Sequence, residues 1–202
     1  MSSVAVFRTI REQIVEQLRN EVLTGQLNAG DSLREESLAR RFGVSRGPIR
    51  DALLQLSQEG LLQSRPNCGA KVAPEPSTTI QPLVIPLRRQ IEAYCLELIF
   101  PTLTSDDDRR LDENLQRLRD VCQIGEMAAV VEHDMAFHRW FVERTGDPDL
   151  LKLWLTVVTR MRLRYTRHPN LMDSFAEHEV VVAAVHRRDQ NAAVAALAAN
   201  IQ

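Results

Sequence analysis

Apolar residues at Phe7, Ile10, Ile14, Leu18 and Val22 recur every three or four positions, which predicts an amphipathic first helix. Gly25 to Gly30 read as a loop, and Leu33 leads into a second helix whose apolar face is Leu38, Ala39 and Phe42. Gly43 then supplies the positive φ at which a helix can end. Val44 is placed to fill the gap before the next helix. Ser45 falls at that helix's N-cap, where its hydroxyl can accept a free backbone N–H. Pro48 lies in the first turn, where a missing N–H does no harm, and Ile49, Ala52, Leu53 and Leu56 continue the inward stripe. Arg46, Gly47 and Arg50 are left at the outward, N-terminal end of this third helix. Leu61–Ser64 and Ala70–Ala73 read as two short strands around Arg65–Gly69, a β-hairpin.

The pattern changes after Pro74–Thr79, whose two prolines disfavour helix and suit a short, semi-rigid linker. Beyond it no strand pattern recurs. Residues 83–100, 105–122, 126–144, 148–167, 173–188 and 190–201 all carry a helical period, with Asp106 and Asp107 suited to a helix start. Gly125, Gly146–Pro148 and His168–Asn170 supply breaks, and the Ala-rich run from Ala192 to Ala199 fits a close-packed last helix. The expected architecture is mainly α. Residues 1–75 form a helix-turn-helix with a β-hairpin wing, 76–82 a linker, and 83–202 an antiparallel all-helical bundle of about six helices.

A helix-turn-helix places the start of its second helix in the DNA major groove, so Arg46, Gly47 and Arg50 stand where base edges and phosphates are reached. A glycine at the wing, Gly69, lets backbone approach a narrow minor groove. Bulk charge adds little. The formal net charge is −2, and residues 1–75 hold ten Lys/Arg against nine Asp/Glu. That balance argues against a protein that coats nucleic acid non-specifically and leaves the reading to where the arginines sit. Cys68, Cys95 and Cys122 are odd in number and lack a CxxC pair, which suits a reducing cytoplasm. No apolar run approaches a membrane span and no signal-peptide pattern opens the chain, so a cytoplasmic location is expected.

Two features of the helical region could carry chemistry. Asp134 and His138, four apart, share a helix face at the separation two metal ligands need, and His178 on a later helix could complete the set. On spacing alone, a packed or surface histidine paired with a carboxylate is the commoner outcome. Arg88-Arg89-Gln90-Ile91-Glu92 reads on its own as a solvated helix face with an arginine paired to Glu92.

The motifs now add up to a resemblance. Gln26–Glu35, Leu38-Ala39, Gly43–Leu53, Gly60-Leu61 and Arg65–Ala70 resemble the winged helix-turn-helix of GntR-family transcriptional regulators over about residues 6–75. The resemblance implies DNA contacts from Arg34, Ser45, Arg46, Gly47 and Arg50, and wing backbone contact near Gly69. Cys68 departs from the basic residue many relatives carry there. Leu87–Glu92, Asp134–His138, and Glu177-His178 followed by Ala183–Val185 resemble the ligand-sensing FCD domain of the FadR subfamily. In that subfamily an Asp, a His four residues on, and two later His hold a divalent metal, which together with a helix-one arginine holds a small carboxylate effector. Asp134, His138 and His178 match the first three positions and Arg88 the arginine; the fourth falls near Asn200, a neutral ligand that suits zinc or nickel poorly.

The function expected from these features is a DNA-binding regulator, a repressor by family analogy and not an enzyme. It would bind a pseudo-palindromic double-stranded operator as a homodimer under control of a small carboxylate. Two rivals belong to other classes. A metal-dependent hydrolase or isomerase could use Asp134, His138 and His178 to activate water, but no general base stands at a telling spacing. A winged domain devoted to protein contacts would not need Ser45-Arg46 and Arg50 at a helix opening.

Overall fold

The computed structural model describes residues 9–65, 69–74, 77, 79–159, 161 and 170–202. Phe7, the wing residues Pro66, Asn67 and Cys68, and the expected helical segment and break over 162–169 lie outside the described residues. The chain divides into two compact units, Met1–Glu75 and Pro76–Gln202.

In the first unit, α1 (Ile10–Leu23) opens on a capping box. Thr9 Oγ1 accepts the Glu12 N–H at 3.2 Å, and Glu12 Oε2 accepts the Thr9 N–H at 2.7 Å. The second helix, α2 (Glu35–Phe42), stops at Gly43 in the left-handed conformation, φ 65°. α3 (Arg46–Gln58) follows at once. Ser45 occupies its N-cap with extended backbone, but its side chain makes no capping bond, contrary to the expectation from sequence. The helices bury Ile14, Leu18, Leu38, Ile49 and Leu56 in one core, and Val44 packs against it from the turn. Two ion pairs brace the packing. Buried Arg19 on α1 donates to Glu59 Oε2 at 2.7 Å beyond the end of α3, and Arg41 on α2 donates to Glu21 Oε2 at 2.9 Å on α1. Both arginines are therefore engaged by the fold.

The wing is a sheet of three strands. β2 (Leu62–Arg65) and β3 (Gly69–Val72) pair antiparallel, with Gln63 opposite Lys71 and Arg65 opposite Gly69. A short β1 (Ser32–Leu33), not anticipated from sequence, pairs with the other edge of β3 and gives the order β1-β3-β2. Two residues are too few to show an alternating pattern, which is why the sequence hid this strand. β1 explains Gly69. Its φ is 85°, and a Cβ there would overlap the Leu33 carbonyl oxygen and lie 3.2 Å from Arg34 Cα. Gly69 is thus required by close approach of two backbones inside the sheet. Gly69→Ala is expected to destabilise this unit by about 2–4 kcal/mol, from the left-handed backbone plus the overlap. A denaturant titration reads this, and an unchanged midpoint would contradict it.

The second unit is helical among its described residues. α4 (Gln81–Ile99) begins two residues before the expected start and runs into a 3-10 turn at Phe100–Thr102 that the periodicity did not mark. α5 (Ser105–Ile124), α6 (Met127–Glu143), α7 (Pro148–Val158), α8 (Leu171–His186) and α9 (Gln190–Asn200) follow. The α5 start is fixed by a capping box in which Thr104 N–H donates to Asp107 Oδ2 at 2.9 Å. Arg144 at the end of α6 donates to Asp107 Oδ1 at 2.8 Å and, with Thr104, holds its carboxyl down at about 2. Leu96, Leu111, Phe137, Phe141, Val181 and Leu197 form the main core. Ala193 and Leu197 are fully buried, so small residues let α9 pack closely, as its alanines suggest.

Candidate functional site

Each unit presents one candidate site. In the first, Arg46 and Arg50 occupy successive turns of one face of α3, and both are exposed. Arg46 reaches across to Glu36 on α2, with Nη2 3.4 Å from Oε2. Both side chains are about two-thirds exposed, so this pair is weak and easily exchanged. Gly47 beside Arg46 is half-buried, and a Cβ built on it would meet nothing closer than Ser45 Oγ at 4.0 Å. Arg34 is exposed at the N-cap of α2. Because Leu33 pairs with Ala70, Arg34 and Gly69 are backbone neighbours. The sheet edge therefore joins two expected contact residues that are 35 positions apart in sequence.

In the second unit, four helices converge on a buried centre. Asp134 and His138 come from α6, His178 from α8, Arg88 and Glu92 from α4, and Trp154 from α7; all are buried. One ligand atom from each of Asp134, His138 and His178 can be chosen so that all lie within 4.8 Å of one another. Both imidazoles are oriented by their outer nitrogen. His138 Nδ1 lies 2.6 Å from Glu92 Oε2, and His178 Nδ1 lies 2.7 Å from the Ser174 carbonyl. Each acceptor calls for a proton on Nδ1, so a neutral ring would carry its lone pair on Nε2. His178 Nε2 is 3.1 Å from Asp134 Oδ1 yet not directed at it, and this buried nitrogen has no hydrogen-bond partner. A lone pair beside a carboxylate repels it unless a cation, a metal ion or a proton, lies between.

Glu92 is the hub of the outer layer. Its Oε1 accepts from Arg88 Nε and from Trp154 Nε1, each at 2.7 Å, and its Oε2 faces His138. Burial pushes its pKa up, but Arg88, His138 and Trp154 outweigh this and hold it at about 2. Asp134 behaves alike: burial opposes ionisation, but His178, His138 and Arg88 hold its carboxyl well below the usual range. Arg88 Nη2 is buried without a hydrogen-bond partner. The Arg88–Glu92 pair is thus buried, not part of the solvated face that sequence alone suggests. Asn200 is buried beside His178, with its amide nitrogen 3.3 Å from Nδ1 and 3.4 Å from Glu177 Oε2. That nitrogen stands on the oriented side of the ring, away from the Nε2 lone pair.

A helix-turn-helix with exposed arginines at the start of α3, and a buried Asp-His-His centre in a separate helical unit, are the two halves that family comparison recovers. The model of the bacterial regulatory proteins of the gntR family matches residues 10–72, and that of the FCD domain matches residues 84–202. The chain belongs to the GntR family, in its FCD-bearing branch. The HTH-type transcriptional repressor RspR of Escherichia coli K12 is 25% identical to this GntR regulator over 200 residues, covering 96% of the chain and 86% of the repressor. An HTH-type regulator from an unstable DNA locus of Streptomyces ambofaciens is 33% identical over 151 residues, 74% of the chain and 61% of that protein. The solved structure of E. coli McbR/YncC superposes with a TM-score of 0.84 over 97% of this chain and 95% of its own, at 23% identity, which establishes the shared fold. These families and relatives are regulatory, and no enzyme family is among them. No described helix is long and apolar enough to cross a membrane.

Three residues of the helical centre escaped the sequence reading of this regulator. Trp154 carried no signal beyond an apolar helix face, and the Ser174 carbonyl carries none in any sequence. Glu92 was visible as an i,i+4 partner of Arg88, but its contact with His138 spans 46 residues and needs the fold.

Proposed function

We propose that this GntR regulator acts as a cytoplasmic repressor that binds a pseudo-palindromic operator as a homodimer, each winged unit reading one half-site. Arg46 and Arg50 reach base edges and phosphates from α3. The uncapped Ser45 hydroxyl, Gly47 backbone and Arg34 contact the flanking phosphates, and the wing end of β3 at Gly69 approaches the minor groove. The helical unit senses a small carboxylate. A divalent ion such as zinc or nickel, held by Asp134, His138 and His178, would supply a Lewis-acidic position for one carboxylate oxygen. Arg88 Nη2 would donate to the other. Asn200 serves as a neighbour of His178 rather than a strong fourth ligand.

The observation that carries this reading is two buried polar atoms at one centre that make no hydrogen bond, His178 Nε2, 3.1 Å from Asp134 Oδ1, and Arg88 Nη2. Buried polar groups are rarely left unpaired, and this pair matches one cation and one anion. Effector must bind the two arrangements of the reading heads unequally, or it would shift nothing. The test is metal content by mass spectrometry and thermal shift with zinc or nickel. The native chain is expected to hold about one ion per protomer and to gain stability with it. His178→Ala should lose both, with further stabilisation by small carboxylates lost in Arg88→Ala. Native protein that stays metal-free after exposure to both ions would remove the metal from this reading.

A further inference from the structure

We propose that Arg40 on α2 is a further DNA contact, one that grips a backbone phosphate beside the groove entered by α3. The inference rests on the reading-helix assignment above and adds a residue to it. α2 carries two consecutive arginines with different fates. Arg41 donates to the buried Glu21 on α1 at 2.9 Å, and its guanidinium lies 5.1 Å from the centroid of the Phe42 ring. That arginine is committed to the fold. Arg40 stands outward: its side chain is 79% exposed, and it pairs with Glu36, one turn back on the same helix, at 3.6 Å. A helix pair this exposed contributes only a few tenths of a kcal/mol, roughly, so bracing α2 is a small part of what Arg40 can do.

Glu36 shows what Arg40 is placed to hold. Its Oε1 faces Arg40 Nη2, and its Oε2 faces Arg46 Nη2 at 3.4 Å. One carboxylate thus bridges α2 and the first turn of α3, with a guanidinium on either side. Leu38 is the buried residue of α2, and positions 36 and 40 lie one turn apart on the side away from it. Arg40, Glu36 and Arg46 therefore form one continuous surface with the reading end of α3, where Arg50 follows one turn after Arg46. When a helix-turn-helix docks, its second helix enters the major groove while its first crosses the sugar-phosphate backbone. A cation on the outward side of the first helix, beside Arg46, meets phosphate rather than base edges. Glu36 is the internal stand-in for that phosphate, an anion with two oxygens set between two arginines. Exchanging it for DNA costs little, because all three side chains are about two-thirds exposed or more. The contact adds affinity for any duplex and helps fix the register at which α3 enters the groove.

The test is the salt dependence of binding by the full chain, read by fluorescence anisotropy on a short duplex of scrambled sequence, so no operator is required. Loss of one phosphate contact makes the slope of log affinity against log salt shallower by about 0.9. Arg40→Ala is expected to show that change, with affinity about three- to tenfold lower near about 0.1 M salt and an unaltered melting curve. Arg40→Lys keeps the point charge and should keep the parent's slope. Arg41→Ala removes the same charge one residue along, but from a guanidinium engaged by Glu21. It should lower the melting temperature and leave the slope as in the parent. Unchanged slope and affinity in Arg40→Ala overturn the contact. An equal flattening in Arg41→Ala also overturns it, because any charge on α2 would then act alike. A loss confined to a duplex selected by the parent protein from a random pool would mean base reading and would overturn the phosphate assignment. Arg46→Ala plus Arg50→Ala, run in the same assay on the selected duplex, keeps the two readings apart. If that double variant loses affinity while Arg40→Ala does not, Arg40 alone is struck; if neither does, the reading helix falls with it.

Discussion

The double substitution Arg46→Ala plus Arg50→Ala is expected to remove specific operator retention, with a loss of about a hundredfold or more. Each arginine that reads a base contributes roughly 1–3 kcal/mol, and 1.4 kcal/mol is tenfold. The two lie four residues apart on one exposed face, so both can address the same groove. Neither belongs to the core that holds α3, which consists of Ile49, Ala52, Leu53 and Leu56. The double variant should therefore fold as the parent does, and its melting curve serves as the control. Arg46 is already paired with Glu36 in the free protein, but an exposed pair of this kind is worth no more than about 1 kcal/mol, so DNA displaces it readily. Glu36→Gln should consequently tighten binding slightly and uniformly across sequences. Electrophoretic mobility shift at fixed salt, with operator and scrambled duplexes, measures all three proteins. Equal operator affinity for the parent and the double variant would rule out α3 as the reading helix. A uniform loss on operator and scrambled duplexes would show that these arginines contact phosphate alone.

The second large effect is at Glu92. Glu92→Ala should destabilise the helical unit by about 3–5 kcal/mol, because it strands a buried guanidinium and two further buried donors. A drop in melting temperature of roughly 10 °C or more follows for a unit of this size. Glu92→Gln separates packing from chemistry. Its amide oxygen can keep the bonds from Arg88 and Trp154, which then puts the amide NH2 group against His138 Nδ1. Two donors cannot face each other, so His138 must move its proton to Nε2 and lose the lone pair directed at the centre. Glu92→Gln is thus expected to fold with a small loss of stability yet take up little metal. Zinc titration with a chelating dye, run beside a thermal melt, distinguishes the two substitutions. Full metal uptake by Glu92→Gln would mean that Glu92 only braces the helices.

Much of this was legible one residue at a time. Gly43 had to end α2 because only a glycine turns there without strain, and its φ of 65° bears that out. The Asp134–His138 spacing was readable because helical geometry alone sets it. Ser45 was placed correctly at its cap, but whether its hydroxyl closes on a backbone N–H depends on a rotamer, and it does not. Gly69 was singled out from its place in the wing, but the close approach of Leu33 that forbids a side chain there was not visible. Its neighbour across the sheet is Leu33, which no short-range pattern connects to it.

The sequence by itself determined the two kinds of domain, the helix-turn-helix and the position of its arginines, because each depends on residues within one or two turns of one another. Only the tertiary structure decided that Arg88 and Glu92 are buried rather than solvated, that Trp154 and the Ser174 carbonyl complete the histidine shell, and that a two-residue strand joins Arg34 to the wing. Those contacts bridge up to 62 positions, and they exist because packing of separate apolar faces, rather than any local preference, carries polar groups into the same small volume.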